Sequence, residues 1–94
     1  MLFAFTDPER ALQTRSEVLA ILDDVLSLKG RTQAFRDTTP LLGSVPELDS
    51  MAVANVLASL EKRFGFVVDD DEIDGTTFAT VGSLVAFVQG KLGA

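Results

Sequence analysis

Apolar residues recur at helical spacing in three separate stretches of this chain, and between the first two the periodicity vanishes from Gly30 to Asp49. In the first stretch Leu12, Val18, Leu19, Leu22, Val25 and Leu26 draw a single apolar stripe. Asp7-Pro8 supplies its start, an N-cap followed by proline at the first helical position, where no backbone donor is lost. Glu9 favours the positive end of such a helix. Gly30, between Lys29 and Arg31, is a stop signal, so the pattern predicts a helix over 8–28.

The second stretch begins at Ser50, where Val53, Val56, Leu57, Leu60 and Phe64 follow the helical period until Gly65 ends it. In the third, Thr80 caps a helix whose Val81, Leu84, Val85 and Val88 face inward, ending near Gly90. The acidic, turn-rich segment from Asp69 to Thr80 leaves room for one short helix around Ile73. Phe66 to Val68 has strand propensity, but no second run offers itself as a pairing partner.

The long loop is marked by Thr38, Thr39, Pro40, Gly43, Ser44 and Pro46. Loops of this length inside small domains are functional or disordered. Phe35, Leu41, Leu42, Val45 and Leu48 are spread through it, which predicts that it packs on the helices. The expected fold is all-α: three main helices plus one short helix, with a long loop between helices one and two. A single domain over 1–94 is expected, with its core over about 8–92. Leu19, Leu22, Val56, Leu60, Phe64, Leu84 and Val88 are its expected core.

Composition narrows the function more by what is missing than by what is present. Ninety-four residues support one modest core. With neither histidine nor cysteine, Ser-His and Cys-His relays, thiolate nucleophiles, and cysteine- or histidine-bearing metal sites are excluded. An enzyme is therefore not expected. The net charge of −6 opposes nucleic-acid binding and suits basic partner proteins. No apolar run approaches the roughly 20 residues of a membrane span. MLFAFTDPER lacks the basic region of a secretory signal, so a cytoplasmic, monomeric protein is expected.

The informative stretch is LLGSVPELDSM, Leu41 to Met51, followed by a helix ending in LEKRFGF. Asp-Ser alone says little, because aspartate and serine are common helix caps. The ordered set says more: a helix, a long loop with Leu42-Gly43, Asp49-Ser50-Met51 at a helix start, Leu60-Glu61 and Phe64, the acidic Asp70–Glu72, then Thr80-Val81-Gly82. From about Val18 to Leu92 the chain resembles the acyl carrier protein family.

That resemblance implies a non-catalytic carrier whose Ser50 bears a covalently attached 4'-phosphopantetheine arm. A phosphopantetheinyl transferase would attach the arm, an acyl-loading ligase or acyltransferase would charge it, and downstream acyl-using enzymes would unload it. Ser44, Ser59 and Ser83 lack the context of Ser50. Asp49 has two readings, helix cap and help in binding the transferase's magnesium, and both can hold. Met51 stands where the family has leucine; a partner contact is favoured over packing beneath the loop, a flexible thioether suiting several partners. Glu47, Leu48 and Glu61 complete the expected partner-binding set.

The departures matter as well. Carriers of general fatty-acid synthesis have an acidic second helix, whereas Ala52, Asn55, Ser59, Lys62 and Arg63 stand here, with Glu61 the main acidic residue left. Charge complementarity governs partner choice, so this points to a specialised lipid or secondary-metabolite pathway. A peptidyl or aminoacyl carrier is the alternative, but its glycine pair before the serine is absent. A further alternative is an unmodified helical interaction module. A calcium loop at Asp70, Glu72, Asp74 and Gly75 fails because its closing glutamate would fall at Val81. That acidic segment reads instead as a solvated negative face.

Overall fold

The computed structural model describes residues 8–93 and is built from three α-helices: α1, Pro8–Leu26; α2, Ser50–Phe64; and α3, Val81–Gly93. Two 3-10 turns, Arg31–Ala34 and Asp70–Glu72, stand between them. The second is the short helix expected near Ile73. The N-cap expected at Asp7 lies outside the described residues.

Helix α1 stops two residues earlier than its pattern predicts, and not at Gly30. Ser27 adopts a left-handed φ of 55°, and the Leu28 N–H bonds the Asp23 carbonyl at 2.9 Å. The Ser27 N–H reaches the Asp24 carbonyl, which completes a Schellman stop. A left-handed non-glycine residue costs about 1–2 kcal/mol. The reversal turns Leu28 into the core, where it is 1% exposed, and burying a leucine contributes about 1.5–3 kcal/mol. Continued helix would carry Leu28 off the apolar stripe, so burial wins. Asp23 then accepts from the Gly30 N–H and the Thr32 hydroxyl, both at 2.9 Å, and fixes the first 3-10 turn.

Helix α2 begins and ends where the pattern places it. The Asp49 carboxylate accepts from the Ala52 N–H at 2.8 Å. Gly65, at φ 79°, returns its N–H to the Glu61 carbonyl at 2.8 Å. Helix α3 opens on a reciprocal cap, in which Thr80 Oγ1 accepts from the Ser83 N–H at 3.1 Å and Ser83 Oγ accepts from the Thr80 N–H at 3.0 Å. It runs past Gly90 to Gly93, because Gly90 keeps helical backbone and the last turn is held by Lys91 bonded to Glu72. Residues 66–69 form no strand, and the Phe64 and Phe66 rings stack with centroids 6.0 Å apart.

The long loop is docked, as its apolar residues predict. Leu41, Val45 and Leu48 are buried and Phe35 is half-buried. Leu42 departs from that expectation at 46% exposed, because its neighbour Leu41 takes the inward position. An isolated antiparallel bridge, Pro40 to Thr80, staples the loop to the start of α3. Around it Leu41 N–H bonds Ala79 O, Leu42 N–H bonds Phe78 O, and Val81 N–H bonds Thr39 O. The Gly82 N–H reaches Asp37 O at 2.8 Å, and a β-carbon on Gly82 would stand 3.0 Å from that oxygen. A side chain there would push the loop off the helix.

Leu22, Val56, Leu60, Leu84 and Val88 occupy the core as expected, joined by Val18, Leu26, Leu28, Phe78, Val81, Val85 and the loop residues. Leu19 and Phe64 are only half-buried and pack against this cluster from its edge. Leu12, placed on the stripe by spacing, is 63% exposed beside a shallow groove shared with Arg15, Asp37 and Val85. Among the described residues no helix is long and apolar enough to cross a membrane.

Candidate functional site

The end of the long loop and the first turn of α2 converge on Ser50. Its side chain is exposed, and its hydroxyl makes no hydrogen bond among the described residues. Asp49 caps the helix with one carboxylate oxygen, and the second oxygen makes no bond to the described residues. The capping reading of Asp49 is thus met, and it leaves an oxygen for another task. Met51 is 74% exposed, which removes the packing alternative for it.

The other expected partner residues fare differently. Leu48 is 5% exposed and belongs to the core, so its assignment to a partner surface is corrected: burying it anchors the loop directly before the site. Glu47 is exposed, but its carboxylate is bonded by Arg31. That pair ties the approach to Ser50 back to the first 3-10 turn. Glu61 is half-buried and accepts from the Val68 N–H at 2.7 Å, so it holds the segment after α2 in place.

A groove of about 380 Å³ starts at Ser50 and follows α2. Val53, Ala54, Leu57 and Ala58 form one wall, Val68 and Ile73 the other, and Glu61 and Asp69 also line it. Sequence reasoning missed this groove. Val53 and Leu57 were legible as apolar helix positions, but nothing along the chain says that Val68 and Ile73 stand across from them. The Arg31–Glu47 pair was likewise invisible, since sixteen positions separate the two residues.

The acidic segment is less of a free surface than its charge suggests. Glu72 accepts from the Asp69 N–H at 2.9 Å and from Lys91. Asp74 accepts from the Thr76 N–H at 2.9 Å and from its hydroxyl. Hydrogen bonding from the Asp69 backbone, then Lys91, holds Glu72 below the ordinary glutamate value of 4.5. The Thr76 hydroxyl and backbone lower Asp74 in the same way. Glu47 is lowered by its own backbone N–H and then by the Arg31 guanidinium. A carboxylate whose folded pKa lies below its unfolded one adds stability above the unfolded value and loses it as pH falls through the folded value. Urea midpoints are therefore expected to stay level from neutrality down to about pH 5 and to drop below 4.5. Glu47→Gln with Glu72→Gln should flatten that drop; an unchanged acid limb would show that these carboxylates do not cause it.

A small bundle that presents an unhindered hydroxyl at a helix start, beside a groove lined by apolar and acidic residues, is an architecture that suits a carrier. Residues 16–88 match the family described as phosphopantetheine attachment site. The chain is also 51% identical to the solution structure of a holo acyl carrier protein from Nitrosomonas europaea, over 87% of this chain and 99% of that one, with a TM-score of 0.81. It belongs to the acyl carrier protein family, non-catalytic carriers with covalently attached phosphopantetheine. No curated protein matched the chain at a significant level. The residues at the start of α2 fit such a group: the Ser50 hydroxyl is unbonded, and backbone donors at a helix start suit a phosphodiester.

Proposed function

We propose that Ser50 is the attachment point of the arm and that this single-domain, cytoplasmic, monomeric carrier serves a specialised pathway with its own loading enzyme. The observation that carries the reading is the exposed, unbonded Ser50 hydroxyl at the loop–helix junction, in a chain of this family. A phosphopantetheinyl transferase needs to reach that oxygen and drive it against the pyrophosphate of coenzyme A. Asp49 offers its uncommitted oxygen to the transferase's magnesium, and Met51 offers an apolar contact beside it. Once attached, the arm supplies a terminal thiol on which cargo is held as a thioester. Incubation with coenzyme A and a broad-specificity transferase should add one prosthetic group, found on the peptide containing Ser50. No mass gain would remove the reading.

The specialised pathway rests on the face of α2. Asn55 and Lys62 are exposed, and Glu61, the acidic residue of this helix, is committed to Val68. Arg63 is paired with Glu17 of α1. Along α2 a basic docking patch meets a single carboxylate, the half-buried Glu61, and meets Lys62 with like charge. Each exposed pair is worth about 0.2–1 kcal/mol, so two changes alter affinity on the order of tenfold. The holo protein is expected to be a poor substrate for a general malonyl transferase. Asn55→Glu with Lys62→Glu should improve kcat/KM by about that factor. A wild type already as good as a housekeeping carrier would count against a specialised pathway.

A further inference from the structure

Ser50 follows a loop whose last turn is tied to a distant element by one charged pair. We infer that Arg31 is a positioning residue for Ser50. Through its ion pair with Glu47 it holds that last turn, and with it Asp49 and Ser50, in the arrangement on which a phosphopantetheinyl transferase docks. The inference rests on Ser50 being the attachment point.

Arg31 is braced before it reaches Glu47. The Asp23 carboxylate accepts from the Gly30 N–H and the Thr32 hydroxyl, so the residues on either side of Arg31 are fixed to the end of α1. The Arg31 Nε–H donates to the carbonyl of the buried Leu28 at 3.3 Å. A second guanidinium nitrogen donates to the Glu47 carboxylate. A side chain already held at its stem and its Nε gives up less freedom when it pairs.

Glu47 passes this constraint to the site. Burial of Val45 and Leu48 sets the depth of the loop, but apolar contact has no direction and leaves the turn between them free to tilt. Two backbone bonds close that turn: the Leu48 N–H to the Val45 carbonyl at 3.0 Å, and the Asp49 N–H to the Glu47 carbonyl at 3.2 Å. Glu47 is therefore bonded to Arg31 through its side chain and to Asp49 through its carbonyl, and Asp49 caps α2. Among the described residues no other side chain between Pro40 and Asp49 makes a hydrogen bond. With the pair broken, the turn samples further arrangements, and apparent affinity for the transferase falls by the fraction that no longer fits. Both ends of the pair are partly exposed, so that factor is about two- to fivefold.

The test uses the intact protein as wild type, Arg31→Gln, Glu47→Gln and the double variant. Each is given coenzyme A and a broad-specificity transferase, and initial rates are followed over a range of carrier concentrations. Each single variant is expected to raise KM by about two- to fivefold at unchanged kcat. The double variant should be no worse than the worse single, because all three lose the same bond. Urea titrations establish that all four are folded under the assay conditions. The two single changes move the net charge in opposite directions, so an effect of charge alone would shift KM in opposite directions. That result would overturn the inference. So would unchanged KM values, a loss confined to kcat, or losses that add in the double variant, since direct contacts of Arg31 and Glu47 with the transferase would add. A wild type that gains no prosthetic group would instead strike the assignment of Ser50 itself, and the inference with it.

Discussion

Replacing Ser50 with alanine is expected to abolish phosphopantetheine attachment completely while leaving the fold as stable as before. The hydroxyl is exposed and unbonded, so nothing in the bundle depends on it. Asp49, not Ser50, caps α2, and alanine is at least as good a helix former at the vacated position. The change in stability should stay within about 0.5 kcal/mol, the usual range for a surface substitution away from special features. Ser83, Ser59 and Ser44 are not expected to take over. The Ser83 hydroxyl is engaged with the Thr77 and Thr80 carbonyls at 3.0 and 2.9 Å. Ser59 is half-buried in the middle of α2, and Ser44 stands in the loop away from any helix start. Mass spectrometry after incubation with transferase and coenzyme A should show one group on the wild type and none on the variant. A modified alanine variant would mean that the site lies elsewhere. Asp49→Asn sharpens the result, because asparagine caps as well as aspartate but carries no charge. Slower modification at unchanged stability would separate a role toward magnesium from the cap.

Truncating Leu60 to alanine should have the largest effect on stability, about 2–5 kcal/mol, without touching the site's chemistry. Leu60 is fully buried on the inward face of α2, within the cluster that joins all three helices and the loop. A domain this small has total stability near the low end of about 5–15 kcal/mol, so the variant should be close to unfolding at body temperature. For a chain of this size each kcal/mol moves the melting midpoint by about 4–8 °C. Leu42→Ala is the matched control, since Leu42 is 46% exposed and should cost well under 1 kcal/mol. Urea titrations with equal slopes would compare the two directly. A Leu60→Ala loss no greater than that of Leu42→Ala would mean that the helices do not pack as described.

The limits of helix α2 were legible because its signals are local: Asp49 at the cap, apolar residues at one period, and Gly65 at a left-handed stop. The exposed place of Ser50 at the start of α2 was legible for the same reason. The end of α1 was not. Gly30 is the stronger local stop, yet Ser27 takes the left-handed turn because only that reversal buries Leu28 in a core the chain assembles from distant parts. Leu48 shows the same limit from the other side. Its place beside Asp49 put it with the partner residues, and only packing shows that it faces inward.

The sequence by itself determined the three helices, the docked loop and the exposed serine, since each follows from periodicity, capping and turn chemistry acting over a few residues. Only the tertiary structure decided which charges are spent and where the groove runs. Arg31 finds Glu47, Lys91 finds Glu72, and Glu61 turns to the Val68 N–H across gaps that no local pattern spans. Val68 and Ile73 become a wall only when the segment after α2 folds back along it. Such contacts are fixed by the burial of the shared core, and that depends on all of the elements at once.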